Sequence, residues 1–300
     1  MSPRIGRTGG SAARAFGKGL RSNVAGGAIL NGVWTTRANM GYSTYNGVGW
    51  GGVNANMCIG GQDVGSQTWN GSSWTTLTNP STSPMDSMSA GTSTAGLYFG
   101  GRISASWTFI NSGETWNGSS WSAASGTLPN VKATNGSGAT PNAAFAAGGQ
   151  VTDGNPTSYS ATYDGTAWTV QGNINTARRN GGSAGIATAG VLLGGYNDNT
   201  STQVRVTENF NGATWSNSGL LLNTATNNNF PGGGQQTAAY RVGHYNQTWV
   251  EGYDGSTWAS CTGLNTGVGY QAANNSSTGT GTVSMGGYNG SSMNHFETYA

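Results

Sequence analysis

Apolar residues stand along this chain in short runs, not in long stripes. Met57-Cys58-Ile59, Leu97-Tyr98-Phe99, Phe145-Ala146-Ala147, Val191-Leu192-Leu193 and Val283-Ser284-Met285 are each followed at once by Gly-Gly. Val242-Gly243-His244 is a sixth, altered copy, with His in place of the second Gly. A run this short, closed by glycine, predicts a strand. Upstream lies a stretch of small residues, such as NGGSAG at 180–185, which predicts another. Downstream come an aromatic, a four-residue polar turn and a Trp: WNGSSWT at 69–75, WNGSSWS at 116–122, YDGTAWT at 163–169, FNGATWS at 210–216 and YDGSTWA at 253–259. Asn-Gly and Asp-Gly are strong hairpin signals, because both residues tolerate the positive φ of tight turns. Such a turn sets the two flanking rings opposite each other, which adds up to about 1 kcal/mol to a hairpin. Each unit thus predicts four antiparallel strands, the third ending at the aromatic and the fourth carrying the Trp.

The unit repeats. Its Trp falls at positions 34, 74, 121, 168, 215 and 258. Four strands recurring at roughly 40–50 residues is the pattern of a β-propeller blade. The small-residue strand suits the innermost place, where strands converge on the axis and bulky side chains collide. The expected count is six. Residues 296–300 read as a third strand ending in Tyr299 with no Trp after it, and LNGVW at 30–34 reads as a turn and fourth strand with nothing before it. Joined, Tyr299 and Trp34 complete the sixth blade, so an N-terminal strand is expected to latch the ring. A domain-swapped oligomer satisfies the same pattern.

These marks resemble the kelch repeat family: a double Gly after an apolar strand, then a Tyr, then a Trp after a short turn. YDGTAW with LLGG carries the likeness, and NTAR at 175–178 resembles the Arg-bearing stretch before a kelch innermost strand. The resemblance covers about residues 31–300. The Tyr-to-Trp interval is shorter than in many kelch repeats, and blade five lacks its second Gly. Kelch resemblance implies a propeller and leaves the function open. The near-identical copies rich in Gly, Asn, Ser and Thr, with the leader SAARAFGKG at 11–19, also resemble propeller proteins carried by marine tailed phages.

Composition changes the picture in two ways. Glycine makes up 53 of 300 residues and charged residues only 7%, against about 25% charged in an average soluble protein. Asn, Ser, Thr and backbone must therefore carry the surface. Eleven Trp and twelve Tyr argue against disorder, since disordered chains are poor in aromatics. Charge is also uneven. Arg4, Arg7, Arg14, Lys18 and Arg21 precede the first acid, Asp63, and the rest of the chain holds seven basic and ten acidic residues. Residues 1–28 thus read as a basic Gly/Ala/Arg-rich arm on a propeller of 29–300. No stretch is long and apolar enough to cross a membrane, and no secretory signal stands at the N-terminus. Cys58 and Cys261 are expected as buried free thiols.

The search for chemistry finds little. Glu114, Glu208, Glu251 and Glu297 each stand two positions before the third-strand aromatic. A carboxylate repeated in four blades reads as structural, bonding a neighbouring backbone or Arg; a catalytic group should break the symmetry. Asp254-Gly-Ser-Thr-Trp258 only superficially resembles the Asp box of sialidases and lacks the residue between Asp and Gly. His244 and His295 lie in different blades without ligand spacing. The oxygen-rich loop Asn197-Asp198-Asn199 offers a calcium alternative. No phosphate loop or nucleophile motif appears. No enzyme, metal or cofactor is expected.

Binding is the better reading. Strand parity puts the repetitive Asn-Gly and Asp-Gly turns on one face. The other holds the irregular loops 102–113, 150–160 and 196–206, together with 79–86, 126–134 and 221–232. Variable loops on a rigid scaffold are where recognition resides. The candidate ligand contacts are Trp107, Phe109, Tyr159, Asn197, Asp198 and Arg205. Trp107 with Phe109 suits stacking on a sugar ring, or else covers the blade edge. Trp50 and Trp249 are expected in the core. The arm, with Arg4, Arg7, Arg14, Phe16, Lys18 and Arg21, reads as a docking segment that orders on a larger assembly; a plain solvated terminus and a binder of nucleic acid or anionic membrane are the alternatives. The function expected is a structural virion protein of a tailed phage, in its tail or an appendage. It would be anchored to other virion proteins through residues 1–28 and would present a six-bladed kelch-like propeller to host-surface glycans, with no nucleic acid bound and no membrane entered. A glycan-active enzyme and a cellular protein-binding scaffold are the alternatives.

Overall fold

The computed structural model of the chain describes residues 32–63, 65–103, 105–130, 133–138, 140–152, 155–223, 231–273 and 281–300. The docking arm expected at 1–28 lies outside them. The described residues form strands and loops and no helix.

Blade 1 holds β2 (Val48–Gly52), β3 (Ala55–Ile59), β4 (Ser66–Trp69) and β5 (Trp74–Thr76), in that order from the axis. β1 (Trp34–Thr36) belongs elsewhere. Blade 2 is β7 (Met88–Thr92), β8 (Ala95–Phe99), β10 (Gly113–Trp116) and β11 (Trp121–Ala123), with β6 (Pro84–Met85) paired to β9 (Arg102–Ile103) at its mouthward end. Blade 3 is β12 (Ala133–Gly138), β13 (Ala144–Thr152), β15 (Ser160–Tyr163) and β16 (Trp168–Val170), with β14 (Asn155–Pro156) on β13. Blade 4 is β17 (Gly182–Ile186), β18 (Ala189–Asn197), β19 (Thr202–Phe210) and β20 (Trp215–Leu220). Blade 5 is β21 (Gly232–Gln235), β22 (Ala238–His244), β23 (Gln247–Tyr253) and β24 (Trp258–Ser260). Blade 6 joins β25 (Thr282–Met285), β26 (Phe296–Tyr299) and β1. Trp34 pairs with Tyr299 and Thr36 with Glu297. The N-terminal strand therefore latches the ring within one chain. The inner place of blade 6 is marked by the bridge Ala272–Met285.

The repeated phrase is the outer hairpin, and its rings meet in all six blades. Centroids lie 5.6 Å apart for Trp69 and Trp74, 4.8 Å for Phe210 and Trp215 and 5.2 Å for Trp34 and Tyr299. The turn works differently from the sequence expectation. Only the Gly is left-handed, as at Gly71 (φ 97°). The Asn is an acceptor instead: Asn70 Oδ1 takes the N–H groups of Ser72 at 3.0 Å and Ser73 at 2.9 Å. Asp fills that role equally well, because one side-chain oxygen suffices. Asp164 Oδ1 takes Thr166 and Ala167, and these bonds hold its carboxyl down at about 2.

Each interface between blades carries its own apolar cluster. Trp50 and Ile59 of blade 1 meet Tyr98 and Trp116 of blade 2. The series continues round to Val283, Met285 and Phe296 of blade 6, which meet Cys58 and Trp69 of blade 1. Carboxylates tie the crossovers between blades. Glu114 accepts the backbone N–H of Ser81 at 3.0 Å, Glu208 that of Asn175 at 2.6 Å, Glu251 that of Asn223 at 2.7 Å and Glu297 that of Asn265 at 2.9 Å. Gln67 does the same work in blade 1, for Gly41 at 2.8 Å. Glu208 is also ion-paired with buried Arg178.

The double glycine brings two backbones together. The second Gly donates to the next blade's incoming loop: Gly61 to Pro84 O at 2.9 Å, Gly149 to Arg178 O at 2.7 Å and Gly287 to Thr44 O at 2.7 Å. A Cβ on Gly101 (φ 93°) would stand 2.1 Å from Ser87 Oγ and 2.3 Å from Met85 O. His244 has no positive φ. There β22 passes a register shift at left-handed Gly243 (φ 63°) and enters a tight hairpin with β23, pairing His244 with Gln247. This hairpin corrects the placement of Trp249. It stands near the tip, 40% exposed and stacked on His244, and not in the core. Trp50 is fully buried, and its Nε1 donates to Thr92 O at 2.9 Å.

Candidate functional site

The inner strands leave a narrow axial cavity of about 90 Å³. Its walls mix glycine backbone with polar side chains such as Asp86, Ser89, Gln150, Arg179 and Gln271, and it opens on the irregular face. Two registers of the repeat supply its rim. The residue after each double-glycine position is Gln62, Arg102, Gln150, Tyr196, Tyr245 or Tyr288. It pairs back onto the loop entering its own blade, as Arg102 does with Met85, Tyr196 with Arg179 and Tyr288 with Gly269. The second register lies two residues before the inner strand. Asn46, Asp86, Asn180 and Tyr270 occupy it in blades 1, 2, 4 and 6, all left-handed, with φ of 56°, 53°, 56° and 56°.

Asn and Asp are the side chains that tolerate this conformation; a bulky residue there is strained. Tyr270 breaks the pattern. Its ring stands 6.3 Å from that of Tyr45. Tyr45 meets Tyr288 at 5.2 Å, and Tyr288 stacks on Tyr245 at 6.1 Å. Four half-buried tyrosines thus gather on blades 5, 6 and 1 beside the cavity, whose lining includes Gln271, the neighbour of Tyr270, and Gly47. Burial, then the Asp86 carboxylate and Tyr245, push the Tyr270 phenol up, while Arg179 pulls it down. Burial also raises Tyr45, with help from Tyr288 and Asp63.

Across the mouth stand two ion pairs. Asp86 accepts from Arg102 Nε at 3.0 Å. Arg179 donates to both oxygens of Asp198, at 2.6 and 2.7 Å, and this holds the Asp198 carboxyl below its ordinary value. Asp86 and Arg179 line the cavity. The guanidinium of Arg102 lies 5.0 Å from the Trp107 ring and 5.7 Å from Phe109, and that of Arg179 lies 5.8 Å from Tyr196. Cation–π contacts of this kind fix both partners. Trp107 is 52% exposed and itself left-handed at φ 57°. A line of contacts therefore runs from Trp107 through Arg102 to Asp86, whose carboxylate acts electrostatically on Tyr270.

The structure divides the residues singled out in the sequence. Trp107, Phe109 and Asp198 belong to the rim. Tyr159 is buried beside Ala161 and Trp168. Arg205 is a brace, donating Nε to Leu221 O at 2.9 Å. Asn197 closes its own turn by accepting from Asn199 N at 3.0 Å. Among the described residues no three His, Cys, Asp or Glu side chains gather as metal ligands. Neither cysteine is in a disulfide: Cys58 is buried, with its thiol pushed up to about 12 by burial, and Cys261 is half-buried. Sequence reasoning missed the tyrosine cluster and Gln150. Part of the signal was present: the place after each double-glycine position varies among Gln, Arg and Tyr, while the glycines hold in five of the six blades.

No family model matches the chain, and no curated protein matches it. A solved structure described as "Structure of YjhT" superposes with a TM-score of 0.68 at 12% identity, covering 88% of this chain and 95% of that one. This likeness shows the six-bladed β-propeller fold. No helix among the described residues is long and apolar enough to cross a membrane.

Proposed function

We propose that the chain is a non-enzymatic recognition propeller of a tailed-phage particle, held through residues 1–28 and binding a host-surface glycan at its axial mouth. The observation that carries the binding reading is the rim itself. Tyr45, Tyr245, Tyr270 and Tyr288 present aromatic surface beside polar side chains, with Trp107 exposed at the outer edge. Aromatic faces interleaved with hydrogen-bonding groups match the two-sided chemistry of a sugar ring. Among the described residues, the carboxylates of Asp86 and Asp198 beside the mouth are engaged by arginines, which favours binding over acid–base turnover, while Asp63 acts on Tyr45 from an exposed position. The particle reading rests on the basic leader and on the phage-like style of the repeats.

Two measurements test this. Full-length chain is screened on a glycan array and hits are titrated by calorimetry. Tyr288→Ala and Trp107→Ala are each expected to weaken binding by roughly threefold to tenfold. Mass spectrometry of gradient-purified particles from the source is expected to find the full chain and to lose it when residues 1–28 are deleted. A chain that turns over the bound sugar is an enzyme; a chain absent from particles has no virion role.

A further inference from the structure

Two amide oxygens of the cavity wall have no hydrogen-bond partner within the protein. Gln271 is 4% exposed and donates Nε2 to Val242 O at 2.9 Å, which leaves its Oε1 unpaired. Gln150 is likewise 4% exposed with an unpaired Oε1. Both residues line the cavity. Buried polar groups are ordinarily satisfied, and one that is not asks for an explanation. Oxygens of this kind accept only. What reaches them must donate, as a hydroxyl does and an ionised carboxylate or phosphate does not.

Charge points the same way. Among the described residues, Arg102 and Arg179 are the cations of the mouth, and Asp86 and Asp198 pair with them. An acidic ligand would have to break one of these partly buried pairs and strand a carboxylate. Size restricts the pose. The cavity of about 90 Å³ is well below the roughly 300 Å³ at which pockets enclose a whole small molecule. It admits one substituent, while the ring stays at the tyrosine rim. The left-handed Tyr270 stands at that junction. Its three counterparts are Asn or Asp, so the strain it adds goes with a ring at the axis.

We infer that the mouth takes a neutral, polyhydroxylated sugar, which sends one hydroxyl-bearing arm to Gln150 Oε1 and Gln271 Oε1 and rests its ring against Tyr270 and the neighbouring tyrosines. This rests on the glycan reading above and specifies the ligand class. Acidic sugars are excluded by the paired arginines, and deoxy analogues lose the donors that the glutamines require.

The test uses the full chain and matched oligosaccharides: neutral hexose oligomers, their uronate or sialylated counterparts, and analogues lacking the exocyclic hydroxyl. Neutral sugars are expected to bind at least tenfold more tightly than acidic ones. Gln150→Met and Gln271→Met are each expected to weaken them by roughly threefold to tenfold, Gln150→Met with no fall in melting temperature and Gln271→Met with a fall, because it also removes the donor to Val242 O. Tyr270→Asn supplies the residue its counterparts use. It is expected to raise the melting temperature by roughly 2–4 °C while weakening binding at least tenfold, a split that a merely structural tyrosine would not give. Tighter binding of acidic sugars, or undiminished binding by both glutamine variants, overturns the inference and leaves the mouth a glycan site. Failure of every sugar class to bind overturns the glycan reading as well.

Discussion

His295 sits two residues from Glu297 in the last stretch of the chain, 6% exposed, with Nε2 3.4 Å from the Glu297 carboxylate. Burial pushes this imidazole from its ordinary 6.5 down to about 4. Burial pushes Glu297 up, against the pull of N–H donors from Asn265 and Thr266. The signs differ. His295 is neutral in the fold but protonates near 6.5 once unfolded, so the unfolded state binds more protons and stability falls as pH drops from 6.5 towards 4. Glu297, raised in the fold, contributes stability at low pH that is lost as pH rises through its folded value. Comparing the native chain with His295→Gln isolates the histidine. Denaturant unfolding at pH 4, 5, 6 and 7 should show the native chain losing on the order of 2–3 kcal/mol relative to the variant. Equal slopes would mean that His295 is hydrated or charged in the fold. At this scale the sequence was only half legible. Trp107 stood out in the sequence because it lies outside the repeat registers, and Tyr270 did not because its register is defined by φ and not by residue type. Tyr159 was misread because position in a variable loop does not say which way a side chain points.

Among the elements, the crossovers between blades are where buried charge is concentrated. Arg178 and Glu208 are both fully buried, and Arg178 also donates to Thr176 O, Gly194 O and Val206 O. Burial pulls the guanidinium down to about 10 against the support of Glu208. Removing one member of such a pair strands the other, at about 3–5 kcal/mol. Arg178→Met is therefore expected to lower stability by at least about 3 kcal/mol, and Arg178→Met with Glu208→Leu to recover only part of that loss, since Glu208 also accepts from Asn175 and Thr176 N–H. Urea unfolding of the two variants checks this; an additive double variant would mean that the ions act separately. The repeated Glu was readable as structural because four copies share one register. Its equivalent Gln67 was not, since an amide does the same accepting without looking like a carboxylate. The strands themselves were legible almost throughout, because aromatic, turn and Trp keep a fixed spacing. Blade 5 was the exception in detail. There β22 and β23 pair out to His244 and Gln247, and this tight hairpin carries Trp249 outward.

On the scale of the whole molecule, six clusters close a ring, and one strand decides whether it stays closed. β1 contributes only Trp34–Thr36 to blade 6, yet Trp34 is 4% exposed, stacks on Tyr299 at 5.2 Å and donates Nε1 to Thr262 O of the neighbouring blade at 2.9 Å. Its removal would bare the edge of β26, and an unpaired edge seeks another strand. Trp34→Ala is expected to cost about 3–5 kcal/mol. A chain beginning at residue 38 should melt lower still and associate, and a synthetic peptide of residues 32–40 should restore both the midpoint and the monomer. The same contacts would be satisfied if β1 crossed into a second copy, because a swap changes connectivity and not chemistry. Dilution separates the two: an intrachain latch keeps its mass and melting midpoint at nanomolar concentration, whereas a swapped dimer loses both. Light scattering and melting across a thousandfold dilution should show the first behaviour. An intrachain latch also leaves both faces of the ring uncovered by a second copy, which an axial glycan site requires.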